Sequence, residues 1–225
     1  AAQGEHLFGP WLKIAEDGKV IVAIPQSESG QGVYTALAQI VAGELGADWR
    51  SVAVQPVSAN PNFSNTTLAR EWAAAFLPER LSGQNAGTFV DSVIGEIAVR
   101  NNFVVTGGSS SIRQFERPCR EAGAAARVLL CQAAAARWDT DWEKCETDKG
   151  FVVFGKRRLA FADLVLEAAE LTPPNPIPLQ PSPRNHLSGR DAPRLDLSAK
   201  VDGSASFAGD IRLPDMLYAS VRAGP

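Results

Sequence analysis

Apolar and polar positions alternate between Trp11 and Pro25, where Trp11, Ile14, Val20, Val22 and Ile24 flank the polar run Glu16-Asp17-Gly18-Lys19. A period of two broken by a glycine-containing turn predicts a β-hairpin. After Gly30-Gln31-Gly32 the period changes. Val33, Leu37, Ile40, Val41 and Leu45 keep helical spacing, and Gly46 suits the left-handed residue that closes a helix. Val52, Val54 and Val57 then mark a short strand over Val52–Val57. The β–β–α–β order predicts an α/β layer.

The pattern is weaker from Asn60 to Asn102, where apolar Trp72–Leu77 and Val90–Val99 read as helical, the second entered through Asp91 or Ser92. Phe103-Val104-Val105 reads as a short strand ending in Thr106-Gly107-Gly108-Ser109-Ser110-Ser111. An alanine-rich helix is expected over Pro118–Trp138, with Pro118 in its first turn, where a missing N–H is tolerated. Ser111 and Gln114 have the spacing of an earlier capping turn. The polar run after Trp138 has a calcium loop's acidic start, but Lys144 stands where such a loop needs glycine, so a solvated loop is expected. A second hairpin is expected from Cys145–Phe154 and Arg158–Phe161, turning at Gly155-Lys156, followed by a short helix over Ala162–Leu171.

The composition then shifts. Pro173, Pro174, Pro176, Pro178, Pro181 and Pro183 make an extended linker that a helix cannot cross. Short strands are expected between Lys200 and Val221, with Ala205, Phe207 and Ile211 apolar. The reading is an α+β chain of α/β layers: a lobe over 1–171, a Pro-rich linker over 172–195, and the incomplete start of a second domain over 196–225. So short a tail cannot close its own core, and the chain is expected to be a piece completed after Pro225 by more of the same polypeptide or by a second chain.

Charge and cysteine usage narrow the chemistry. The 225 residues carry a formal charge of -3, which offers no basic footprint for nucleic acid. No run of about twenty apolar residues is present, so no direct transmembrane span is expected. With His6 and His186 as the two histidines, two-histidine zinc motifs are excluded. Cys119, Cys131 and Cys145 form no C-x-x-C pair, which excludes a self-contained cysteine-ligated cluster. Twelve residues of helix place Cys119 and Cys131 roughly 18 Å apart, too far for a disulfide, and buried thiols are expected.

Two Gly/Ser runs feed helices: Gly30-Gln31-Gly32 and Gly107-Gly108-Ser109-Ser110-Ser111. A helix N-terminus exposes unpaired N–H groups and about half a positive charge, so it accepts anions. Glycine lets backbone come close, and serine hydroxyls add donors. Neither run is a Rossmann or P-loop signature. Each also reads as an ordinary helix cap and turn, and Gln31 as an exposed loop residue; two entrances in one small layer point to a shared anionic ligand.

At these residues a resemblance appears. Pro25-Gln26-Ser27-Glu28-Ser29-Gly30-Gln31-Gly32-Val33-Tyr34-Thr35 resembles the E-x-G-Q-G segment of molybdenum hydroxylases, the xanthine dehydrogenase and aldehyde oxidase superfamily. Thr106 to Arg113 with Arg120 to Arg127 resembles their second cofactor segment, and Asp202 to Tyr218 resembles the opening of their "hammerhead" domain. The similarity is greatest to the isoquinoline 1-oxidoreductase large subunits and their membrane-associated aldehyde dehydrogenase relatives; Phe63 to Phe103 fits poorly. The resemblance implies a molybdopterin-binding lobe plus the start of the hammerhead. Molybdenum would be held by the pterin, usually the cytosine dinucleotide in bacteria, and an aldehyde or an N-heteroaromatic carbon would be oxidised with water as oxygen source. Gly30, Gln31, Gly32, Gly107, Gly108, Ser109, Ser110 and Ser111 would bind that cofactor, with Gln31 near the metal or pterin and Glu28 structural.

No catalytic residue is assigned in this chain, because the family's general-base glutamate belongs near the C-terminal end of the large subunit and has no match here. The [2Fe-2S] clusters that receive the electrons would sit on a small partner subunit. The chain alone is expected to be inactive. Its Ala1-Ala2 start and the branch's exported relatives point to a periplasmic or membrane-associated site, with the cytoplasm as the alternative. Two other readings stand beside this one: a non-catalytic α/β module binding a nucleotide or phosphorylated ligand in a larger assembly, and a structural lobe that keeps the fold without the cofactor.

Overall fold

A computed structural model describes residues 2–78, 87–181, 187 and 189–224; expectations on Pro183, His186 and Pro225 lie outside them. The chain separates into two compact units, Ala1–Leu195 and Asp196–Pro225.

In the first unit, β1 (Glu5–Leu7), β2 (Leu12–Ala15), β3 (Val20–Ile24) and β4 (Val52–Pro56) form one sheet in that order. The predicted hairpin is β2–β3, with Leu12 opposite Val22 and Ile14 opposite Val20. All four of these side chains are fully buried, so the register is fixed by one apolar face. β3 pairs with β4 in parallel, Val20 beside Val52. A parallel pair needs a crossover, and α1 (Val33–Leu45) supplies it, closing on Gly46 at φ 77° as its sequence requires. β1 carries no apolar alternation and was not expected; it is held as an edge by its ladder to β2 and by Lys13 Nζ donating to Glu5 at 2.7 Å.

Four expectations about the first unit need correction. The long helix α4 runs over Ser111–Trp138, so Pro118 is interior and not in its first turn. The two extra turns are held from outside the helix: the Gln114 side chain accepts from Thr66 Oγ1 and from the Thr67 N–H and hydroxyl. Phe103-Val104-Val105 forms no strand, because Asn65 takes its backbone instead. Asn65 N–H donates to Phe103 O at 2.7 Å and Asn65 Nδ2 to Val105 O at 2.9 Å. The preceding helices are α2 (Thr66–Phe76), capped by Asn65, and α3 (Thr88–Arg100), entered at Gly87 and not at Asp91 or Ser92. The second hairpin is a three-stranded meander of β5 (Glu146–Asp148), β6 (Phe151–Phe154) and β7 (Arg157–Ala160). Its extra turn is Lys149-Gly150, both at positive φ (46° and 83°), the backbone of a tight hairpin turn. Helix α5 (Phe161–Ala169) follows.

α1 lies along α4 at very short range. A Cβ on Gly123 would stand 2.4 Å from the Val41 carbonyl oxygen and 2.9 Å from Glu44 Cβ. Beside that contact the Glu44 carboxylate is fully buried, accepting from Arg120 Nε at 2.6 Å and Gln180 N–H at 2.9 Å. The Pro-rich segment is therefore fastened down. Arg127 donates to Pro178 O, Gln39 to the carbonyls of Leu187 and Arg190, Trp49 Nε1 to Pro193 O, and Leu195 N–H to Thr35 Oγ1. Cys119 and Cys131 are buried free thiols in α4; burial pushes Cys131 up to about 12, and it raises Cys119 further.

In the second unit α6 (Leu197–Val201) is followed by a 3₁₀ turn at Ala208–Asp210. The strands expected around Ala205, Phe207 and Ile211 do not form among the described residues of this unit, which offers them no partner strand.

Substituting Gly123→Ala drives a methyl into the α1 backbone. It is expected to destabilise the protein by about 1–3 kcal/mol, lowering the unfolding midpoint by roughly 2–4 °C per kcal/mol. An unchanged midpoint in a thermal melt would contradict the close approach of the two helices.

Candidate functional site

The N-termini of α1 and α4 open onto one cleft of about 390 Å³. The first entrance contributes Ser29, Gln31, Val33 and Ala36, and the second contributes Thr106, Gly107, Ser109, Ser111 and Ile112. The lips are joined directly: Ser27 N–H donates to Thr106 Oγ1 at 2.9 Å across 79 positions of sequence. Of the eight residues singled out in the sequence, Gln31, Gly107, Ser109 and Ser111 face this space. Gly30 (φ 106°) and Gly32 (φ 87°) shape the first turn, in a backbone region that L side chains rarely adopt.

Ser110 turns inward. It is fully buried, donating to Gly107 O at 2.6 Å and accepting from Asn65 Nδ2 at 2.7 Å, so it braces the loop. Gly108 packs on Leu68, whose Cδ1 would stand 2.9 Å from a Cβ there. Ser109 holds φ at 50°, uncommon for a residue with a side chain.

Gln31 staples its own turn: its Oε1 accepts from Ser29 N–H at 2.7 Å and its Nε2 donates to Ser27 O at 2.8 Å. Glu28 fills the centre of the turn. Its Oε1 accepts from the N–H groups of Gly30 at 2.8 Å and Gly32 at 3.0 Å, and its Oε2 from Tyr34 at 3.1 Å. The carboxylate is 5% exposed and is met by Arg194 at 3.2 Å. It thus satisfies much of the positive end of α1 from inside the protein.

The second loop is clasped by Arg113, which donates to Gly108 O at 2.9 Å and Ser109 O at 3.3 Å and is ion-paired with Glu71. That hydrogen bond holds the Glu71 carboxyl below the usual carboxylate range. Arg194, Asn65 and Glu71 carried no signal in the sequence. Arg194 meets Glu28 across 166 positions, Glu71 meets Arg113 across 42 and Asn65 meets Val105 across 40, beyond the reach of any local pattern.

The donor set facing the cleft is neutral and polar, with hydroxyls from Ser29, Thr106, Ser109 and Ser111 and, among the described residues, no lining carboxylate. One residue from Ser27, the Gln26 side chain is 1% exposed, and among the described residues neither its Oε1 nor its Nε2 has a hydrogen-bond partner. A buried amide left unpaired is unfavourable by about 1–3 kcal/mol, and such groups concentrate where a ligand or partner completes the structure. These residues fit a polar, anionic cofactor edge seated against backbone amides and hydroxyls.

Residues 3–69, which include the whole first lip, match the molybdopterin cofactor-binding domain family. Isoquinoline 1-oxidoreductase subunit beta of Brevundimonas diminuta is 30% identical over 250 residues, covering 96% of this chain and 28% of its own length. The resemblance to molybdenum hydroxylase large subunits read from the sequence is thereby borne out. The membrane-bound aldehyde dehydrogenase (pyrroloquinoline-quinone) of Gluconacetobacter polyoxogenes is 29% identical over 99% of this chain and 25% of its own. The chain thus spans about a quarter of the length of these two relatives. The crystal structure of quinoline 2-oxidoreductase from Pseudomonas putida 86 aligns with 74% of this chain and 17% of its own at 20% identity; its TM-score of 0.42 is too low to bear on the assignment.

Removing the Glu28 carboxylate leaves three N–H groups of the first turn without their acceptor. Glu28→Ala is expected to lower stability by about 0.5–2 kcal/mol and to speed amide exchange at Gly30, Gly32 and Tyr34. Exchange at wild-type rates would show that the carboxylate does not organise the turn.

Proposed function

We propose that this chain supplies the pterin-gripping lobe of a molybdenum hydroxylase large subunit. The observation that carries the reading is the meeting of two Gly/Ser helix entrances, far apart in sequence, on one cleft whose described lining residues include no carboxylate. The family match covers the first lip; the second lies outside the matched residues and joins the proposal by geometry. Two adjacent helix ends pointing the same way present like partial charges, and an anion between them relieves both.

In this proposal Gly107, Ser109 and Ser111 would hold the pterin and pyrophosphate through N–H and hydroxyl groups. Gln31 would stand on the metal side, its amide pinned to its own turn so that it meets the cofactor in a fixed orientation. Gly30, Gly32, Gly108 and Ser110 set the backbone that presents them. When bound, the molybdenum cofactor supplies oxidation of an aldehyde, or hydroxylation of an N-heteroaromatic carbon with water as oxygen source. The protein's task here is to bind, orient and shield.

The proposal extends to what the rest of such an enzyme provides: the cytosine dinucleotide form of the cofactor, a general-base glutamate outside this chain, and [2Fe-2S] clusters on a small partner subunit. Residues 196–225 would open the hammerhead domain after the Pro-rich segment, and a periplasmic or membrane-associated site follows from the exported branch. The isoquinoline 1-oxidoreductase and aldehyde dehydrogenase names of the two relatives support both substrate classes.

Denaturing the assembled protein is expected to release molybdenum and a cytosine nucleotide together, measured by elemental analysis and chromatography. Gln31→Ala and Ser109→Ala are expected to reduce both while leaving the unfolding midpoint near wild type. A protein free of both would overturn the proposal, and loss of stability with full cofactor content would reduce the two residues to turn formers.

A further inference from the structure

The two lips share a construction. Arg194 splits its guanidinium fork, Nη1 donating to Gly30 O at 2.9 Å and Nη2 to Glu28 Oε1 at 3.2 Å. Arg113 does the same, Nη2 donating to Gly108 O at 2.9 Å while Nη1 meets Glu71 Oε1. In each lip one arm of the fork grips a carbonyl and the other a carboxylate.

The gripped carbonyls belong to the peptide units that carry the N–H groups of Gln31 and Ser109. A trans peptide is planar, with C=O and N–H pointing in opposite directions, so holding the oxygen fixes the direction of the hydrogen. Both Gln31 and Ser109 line the cleft. Neither N–H makes a hydrogen bond among the described residues. Ser109 is further held at φ 50°, a conformation that persists where its surroundings impose it.

We propose that Arg194 and Arg113 are positioning residues, which pull the Gly30 and Gly108 carbonyls back so that the N–H groups of Gln31 and Ser109 converge on the anion in the cleft. This rests on the reading of the cleft as the pterin site. Each arginine's charge is matched by its own carboxylate, so the lips offer aimed dipoles rather than loose cations. Arg194 also follows residues tied elsewhere in the unit, Gln180 to Glu44 of α1 and Arg120 of α4, Leu187 to Gln39 of α1 and Pro193 to Trp49, so the orientation of the first lip is linked to how these residues are held. Lysine cannot replace either arginine, because a single ammonium does not span carbonyl and carboxylate in one plane.

The test uses the assembled, cofactor-loaded enzyme and compares wild type with Arg194→Lys, Arg113→Lys and the two alanine variants. The readouts are molybdenum and pterin retained per chain through dialysis, the unfolding midpoint, and amide exchange at Gln31 and Ser109. Each variant is expected to hold the cofactor about tenfold more weakly, the loss of one charge-assisted hydrogen bond. The lysine variants should fail alongside the alanines at temperatures well below each midpoint. The Arg113 midpoints should stay near wild type because that ion pair is half-exposed, while the Arg194→Ala midpoint should fall because it leaves the buried Glu28 carboxylate without its partner. Lysine variants that retain the cofactor like wild type would overturn the positioning role, and so would cofactor loss that only tracks the unfolded fraction. Wild-type protein loaded but variants unaffected sinks the clamp alone; wild-type protein without pterin sinks the site and the clamp together.

Discussion

The contact between Gly123 and the Val41 carbonyl is the constraint from which the site follows. With no Cβ at Gly123, α4 settles directly on the α1 backbone, and α1 in turn packs against β3 and β4. Counting back from that contact at 1.5 Å per residue, the start of α1 lies about 12–17 Å away and the start of α4 about 18 Å away. Their first turns line the same cleft, so the helices run side by side in one direction and both positive ends arrive together. The glycine that permits the packing thereby sets the electrostatics of a cleft more than two helical turns away.

Bringing two like helix ends together is unfavourable unless charge is supplied, and the protein supplies part of it. Glu28 takes up three amides of the first turn, while the buried Glu44–Arg120 pair ties α1, α4 and the Pro-rich segment at the far end. Breaking such a buried pair by removing one partner is strongly destabilising, so the segment is held by the same groups that hold the two helices. The remaining donors of the cleft are hydroxyls and backbone amides, and the unpartnered Gln26 amide lies within a residue of Ser27, which bridges the lips.

The legible part of the fold was the part written in local periodicity. The β2–β3 hairpin, the α1 helix with its Gly46 stop and the β4 strand each carry a clean period and a turn residue, and each appears within a residue or two of its expected position. What could not be read was decided by partners distant in the chain. Asn65 takes the carbonyls that Phe103–Val105 would have given to a strand, and with Gln114 it extends α4 past Pro118. β1 is held by a ladder and a lysine, not by apolar alternation. At the site, the glycines and serines were visible because their types are unusual in that order. Glu28 could be read as structural, but Arg194, 164 positions from the Gly30 carbonyl it holds, had no local signature, and Ser110 looked like its neighbours until its burial showed it bracing the loop.

The central claim is that two turns grip one anionic cofactor jointly, and differential hydrogen exchange tests it most directly. Cofactor-loaded and cofactor-stripped enzyme would be compared over residues 27–33 and 106–112. Joint grip requires both segments to gain protection together on loading, with Gln31 and Ser109 among the amides that slow most. Protection confined to one segment, or absent from both while the cofactor is bound, would contradict it.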